Sequence, residues 1–126
     1  MVDIEKQVTY WRNSAEEDWL VGLDLVSQNR VRHGLFFIHL AFEKILKAHV
    51  CRRIQDIAPR LHNLIRLAEM AGIELDQHQQ NILADISVFS IQGRYPDMLL
   101  PSPSPEQAQD VLDQATELFE WLTNQL

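Results

Sequence analysis

Between positions 35 and 50 the chain sets Leu35, Ile38, Phe42, Ile45, Leu46 and Val50 at the three- and four-residue spacing of one helix face. The stretch Phe36-Phe37-Ile38-His39-Leu40-Ala41-Phe42-Glu43-Lys44-Ile45-Leu46-Lys47-Ala48 is apolar on most sides, which predicts a buried helix. It nevertheless keeps a Glu and two Lys. Glu43 precedes Lys47 by four residues, the favourable order for a pair along a helix surface.

The rest of the chain supports a helical reading. With 126 residues it makes one domain, since two halves would each be too small for an adequate core. Only four Gly and five Pro are present, and no Asn-Gly or Asp-Gly dipeptide signals a hairpin. His39 interrupts the longest apolar run, so no stretch of sequence is apolar for long enough to span a bilayer. The residues Met1-Val2-Asp3-Ile4-Glu5 lack the basic and apolar regions of a leader peptide, and the single cysteine, Cys51, excludes an internal disulfide. Together these features give a cytoplasmic location as the expectation.

Five helices are legible. The first covers about 3–28, with Ile4, Val8, Trp11, Ala15, Trp19, Leu23 and Val26 along one stripe and Asn29 placed to break it. The second covers about 31–53 and ends before Pro59. A short third helix is expected over 60–71, with Gly72 as its left-handed terminator. The fourth starts at Asp76, with Gln79 completing a capping box, and is expected to end before Gly93. The fifth begins at Ser104-Pro105-Glu106-Gln107 and carries Ala108, Val111, Leu112, Ala115, Leu118, Phe119 and Leu122 inward. The predicted fold is all-α: an antiparallel up-and-down bundle of four main helices plus one short helix. The first helix carries more large apolar residues than one bundle face hides, so a symmetric homodimer is expected.

Charge is unevenly placed along the chain. Residues 30–66 hold eight Lys/Arg against two acids, a balance of +6, and the remainder carries −13, for a total of −7. An acidic chain does not hold nucleic acid strongly without clustered cations, but a local basic face can take a few phosphates or an acidic partner. Alternatively, those cations meet the acidic helices of the same bundle.

Three blocks in order, the Glu43-Lys44-Ile45-Leu46-Lys47-Ala48 helix, Leu61-His62-Asn63-Leu64 and Gly93-Arg94-Tyr95-Pro96-Asp97, resemble the HEPN family of small helical bundles over nearly the whole chain, so that residues 1–126 are expected to form a single HEPN-like helical domain. The resemblance implies a role beside a separate minimal nucleotidyltransferase, as in toxin–antitoxin-like systems. Many members of that family are metal-independent ribonucleases with an Arg followed after four to six residues by a His. In that chemistry His acts on the ribose hydroxyl and Arg steadies the phosphate. Here no His follows Arg94, and the last His in the chain is His78. Arg32 and His39 match the spacing only in the second helix, where the family does not place its pair.

The resemblance, taken with the uneven charge, implies a non-catalytic HEPN-type binding module. Lys44, Lys47 and Arg94 would contact phosphate or a partner, and Tyr95 would stack or hydrogen-bond, with Asp97 beside them. The partners expected are a second copy of the chain, a minimal nucleotidyltransferase, and nucleotide or RNA. The rival is a ribonuclease that pairs Arg94 with His62 or Tyr95 as a non-standard base; a purely structural dimer is the third reading. No cofactor or metal is expected. His39 and Glu43 share a helix face at ligand spacing, but no second His or Cys pair accompanies them. There is no Gly-rich phosphate loop and no nucleophile elbow.

Overall fold

A computed structural model of the chain describes residues 2–94 and 103–126, with backbone alone for 90–94. Among them are five helices and no strand: α1 (Ile4–Ser27), α2 (Val31–Ile54), α3 (Leu64–Met70), α4 (Gln77–Arg94) and α5 (Pro105–Asn124). No described helix is long and apolar enough to cross a membrane.

Local chemistry sets most of the boundaries. The Asp3 carboxylate accepts the Lys6 amide at 3.1 Å and opens α1. Asp76 and Gln79 cap each other's amides at 2.7 and 3.0 Å ahead of α4, and Ser104 and Gln107 do the same for α5. Asn29 adopts φ 62°, a left-handed conformation that Asn tolerates, and turns the chain from α1 into α2. Gly72, at φ 69°, terminates α3 as expected.

Two expected boundaries move. The third helix begins at Leu64 rather than about residue 60, because Asn63 is its cap and accepts the Arg66 amide at 3.0 Å. His62 therefore stands in the connection before α3. The fourth helix runs through Gly93 to Arg94. A single glycine costs a helix only about 1 kcal/mol, whereas the residue before a proline is sterically steered away from helix.

α1 and α2 form an antiparallel pair and share the most extensive interface in the fold. Glu5 meets Arg52 at one end, Asp18 meets Lys44 midway, and Gly22 meets Gly34 near the turn. The two glycines allow backbone to approach backbone: a Cβ on Gly22 would stand 2.9 Å from the Gly34 carbonyl oxygen, and one on Gly34 would stand 2.8 Å from that of Gly22. α2 touches all four other helices. α5 runs in the same direction as α2, since Phe119 lies beside Phe42, Leu122 beside His49 and Leu126 beside Arg52. The core is centred on an aromatic trio. Trp19 stacks on Phe119 with centroids 4.4 Å apart, and Phe42 sets its edge against both rings.

Candidate functional site

The polar residues of α2 are where the buried helix departs from a simple core. Glu43 and Lys47 are 5% and 6% exposed, so their pair lies inside the fold and not along its surface. The Lys47 ammonium reaches Glu43 Oε2 at 3.2 Å and lies 5.3 Å from the centre of the Trp11 ring. The other carboxylate oxygen, Glu43 Oε1, accepts from His62 Nδ1 at 2.9 Å. A buried carboxylate thus bridges a buried ammonium and an imidazole that is otherwise well exposed. With Nδ1 donating, Nε2 of the neutral ring carries the lone pair.

Lys44, the residue after Glu43, faces α1. Its ammonium is 2.6 Å from Asp18 Oδ2 and donates to Ser14 Oγ at 2.8 Å. At the far end of α2, Arg52 donates to the Leu126 carbonyl at 2.7 Å and meets Glu5 at 3.3 Å. Two of the five Lys/Arg of α2 therefore meet carboxylates of the acidic first helix of the same fold. Lys44 and Lys47 both offered themselves in sequence as phosphate contacts, yet both ammonium groups already have carboxylate partners. Of the remaining sequence candidates, Arg94 closes α4 with its side chain outside the described residues, and Tyr95 and Asp97 lie outside them altogether.

Two further titratable groups lie in the core. His49 Nε2 donates to the Leu122 carbonyl at 2.7 Å. Burial holds its pKa below the usual 6.5; the Leu122 hydrogen bond opposes that shift and the Arg52 charge adds to it. The native state keeps His49 neutral where the unfolded chain protonates it. Its contribution to stability is complete above pH 6.5 and is lost as pH falls from there through the lower native value. Urea midpoints should drop between about pH 7.5 and about pH 5, and His49→Gln should flatten that drop. An equally steep drop in the variant would assign the effect to other groups.

Cys51 is fully buried, and burial pushes its thiol up against the lowering influence of the Ala58 backbone and the Trp11 indole. It is a packed thiol, not an activated nucleophile. Among the described residues no group of three or more His, Cys, Asp or Glu is placed to hold a metal ion.

Sequence reasoning pairs Glu43 with Lys47 but joins neither to His62, and it gives Lys44 no partner. The Glu43–His62 bond spans 19 positions and the Lys44–Ser14 bond 30, and helical periodicity carries no information about such pairs. Asp18 and Ser14 carried no motif at all.

No curated protein and no solved structure gives a significant match to the chain. The model of the HEPN domain family matches residues 8–126, a span that begins inside α1 and takes in every later helix. The chain belongs to the HEPN domain family.

Proposed function

We propose that this chain is a non-catalytic HEPN binding module, cytoplasmic and dimeric, which partners a minimal nucleotidyltransferase and takes nucleotide or RNA in a toxin–antitoxin-like system. Its helices then form the up-and-down antiparallel arrangement, with α3 as the short extra helix. The observation that carries the reading is the absence of any His after His78, which leaves Arg94 without the base that metal-independent cleavage needs. Family membership supports a nucleotide- or RNA-related role. The dimer is supported by Tyr10 and Leu20 of α1, which are 62% and 65% exposed. Arg94, Tyr95 and Asp97 remain the proposed contact segment for nucleotide or partner.

One observation favours a second reading. A buried carboxylate holding Nδ1 of an exposed histidine is the arrangement that orients a general base, and Glu43 does this for His62. In that reading His62 Nε2 takes the proton of a ribose 2′-hydroxyl as its oxygen attacks the adjacent phosphorus, the P–O5′ bond breaks to leave a 2′,3′-cyclic phosphate, the departing 5′-oxygen takes a proton from water, and Arg94 steadies the charged phosphate.

Structured RNA incubated with the purified protein in excess chelator tests the two readings. Intact RNA, with nucleotide or RNA binding measurable and sedimentation at twice the 14.7 kDa of one chain, is the expected result. Cleavage by the wild type that His62→Gln and Arg94→Ala each abolish would make the protein an enzyme. A dimer that neither binds nor cleaves would leave the module a structural one.

A further inference from the structure

We propose that His62 is a nucleophile that accepts a phosphoryl group at Nε2, which makes the connection between α2 and α3 a site of covalent modification. The transfer needs neither a bound RNA nor a partner chain, so it stands apart from both readings above. The site joins a buried carboxylate to an exposed ring. Glu43 is 5% exposed, and its Oε1 accepts from His62 Nδ1 at 2.9 Å. Its Oε2 is held by Lys47 at 3.2 Å, which keeps the carboxylate from swinging away from the imidazole. The His62 side chain is 58% exposed, and its one hydrogen bond among the described residues is the one from Nδ1.

A carboxylate only accepts, so Nδ1 carries the proton of the neutral ring and Nε2 keeps a lone pair open to solvent. A hydrogen bond from Nδ1 to a carboxylate fixes the ring and makes the opposite nitrogen the better nucleophile. The other four histidines lack this arrangement. His39 and His49 are buried, and His33 and His78 are exposed but pair with no carboxylate among the described residues. Phosphorus is the electrophile that suits the surroundings. Lys47 balances the Glu43 charge, and residues 57–63 hold Arg60 and no acid, so an anionic donor is not turned away. That donor is a phosphoric anhydride. As Nε2 attacks, the Nε2–P bond forms and the bond from phosphorus to the bridging oxygen breaks. The oxygen keeps the electron pair and leaves as the carboxylate of an acyl phosphate or as a nucleoside diphosphate. Nδ1 retains its proton, and Glu43 meets the positive charge that the ring takes up.

The purified chain would be incubated with acetyl phosphate, or with ATP and magnesium, and its peptides read by mass spectrometry at alkaline pH, where phosphohistidine survives. His62 should gain phosphate about tenfold or more faster than His33 and His78 of the same molecule. Phosphorus NMR should place the group on Nε2, because Glu43 occupies Nδ1. Glu43→Gln, with its fold checked by circular dichroism, should slow His62 to the rate of His33 and let the Nδ1 product appear. His62→Gln should lose the fast reaction altogether. Fast transfer from acetyl phosphate alone identifies an acyl phosphate as the donor, and fast transfer from ATP identifies a nucleoside triphosphate. Equal rates at the three histidines, a product on Nδ1 in the wild type, or a folded Glu43→Gln that reacts as fast overturns the site. So does a wild type that takes phosphate from neither donor. The comparison within one wild-type molecule decides the matter even where the Glu43 variant does not fold.

Discussion

Gly34→Ala should destabilise the protein by about 2 kcal/mol or more, lowering the melting temperature by roughly 8–10 °C. The direction is not obvious from composition, because alanine favours a helix over glycine by about 1 kcal/mol. What reverses the sign is the α1–α2 crossing. A Cβ on Gly34 would stand 2.5 Å from Val26 Cγ2, 2.8 Å from the Gly22 carbonyl oxygen and 2.9 Å from the Val26 amide nitrogen. Val26 can rotate its side chain, but two of the three obstacles are backbone atoms and cannot move without separating the helices. α2 is the helix that every other one packs against, so separation there propagates through the core. Gly34→Leu should not fold. Denaturant titration decides the matter: a lower midpoint with an unchanged slope is expected for the alanine variant. A midpoint equal to or above wild type would mean that the crossing relaxes freely and that the glycines are incidental.

The second large effect is expected at the buried ion pair. Lys47→Met or Glu43→Leu alone should each cost about 3–5 kcal/mol, because each leaves the opposite charge buried without its partner. Both side chains are only 7% exposed, so water cannot replace what is lost. The double variant Glu43→Leu, Lys47→Met should recover most of that loss, since an apolar pair of similar volume avoids desolvating either ion. His62→Ala removes only the exposed end of the network and should cost about 1 kcal/mol. A thermodynamic cycle over the four proteins gives the coupling directly. Single costs that simply add in the double variant would show that the two side chains do not act as a pair. Against a whole-domain stability of about 5–15 kcal/mol, either single change is enough to threaten the fold.

The helices were legible wherever their own residues fix them. Ser104 and Gln107 announce α5, Asp76 and Gln79 announce α4, and Gly72 closes α3, because capping chemistry is complete within four residues of sequence. Asn63 is readable by the same chemistry, as the cap that accepts the Arg66 amide and sets the start of α3 at Leu64. The pairing of the Gly22 and Gly34 backbones was not legible, since two glycines twelve positions apart in a helical sequence look like two weak points. The candidate site was legible as residue types and not as an arrangement. Glu43 and Lys47 advertised a surface pair because their spacing says nothing about what covers them. Trp11 and His62 meet that pair, and both reach α2 from elsewhere in the chain.

The three-residue turn between α1 and α2 also orders the assembly of the molecule. Joining these helices closes a short loop, so little chain entropy stands against their pairing, and their contacts can form as soon as both are made. α5 returns from the far end of the chain: Phe119 lies one hundred positions from Trp19, the ring on which it stacks. During synthesis the α1–α2 pair is therefore complete while Trp19 and Phe42 still wait for their third ring. Until α5 docks, that aromatic surface faces water, and this interval is when the chain is most exposed to self-association and most in need of a chaperone.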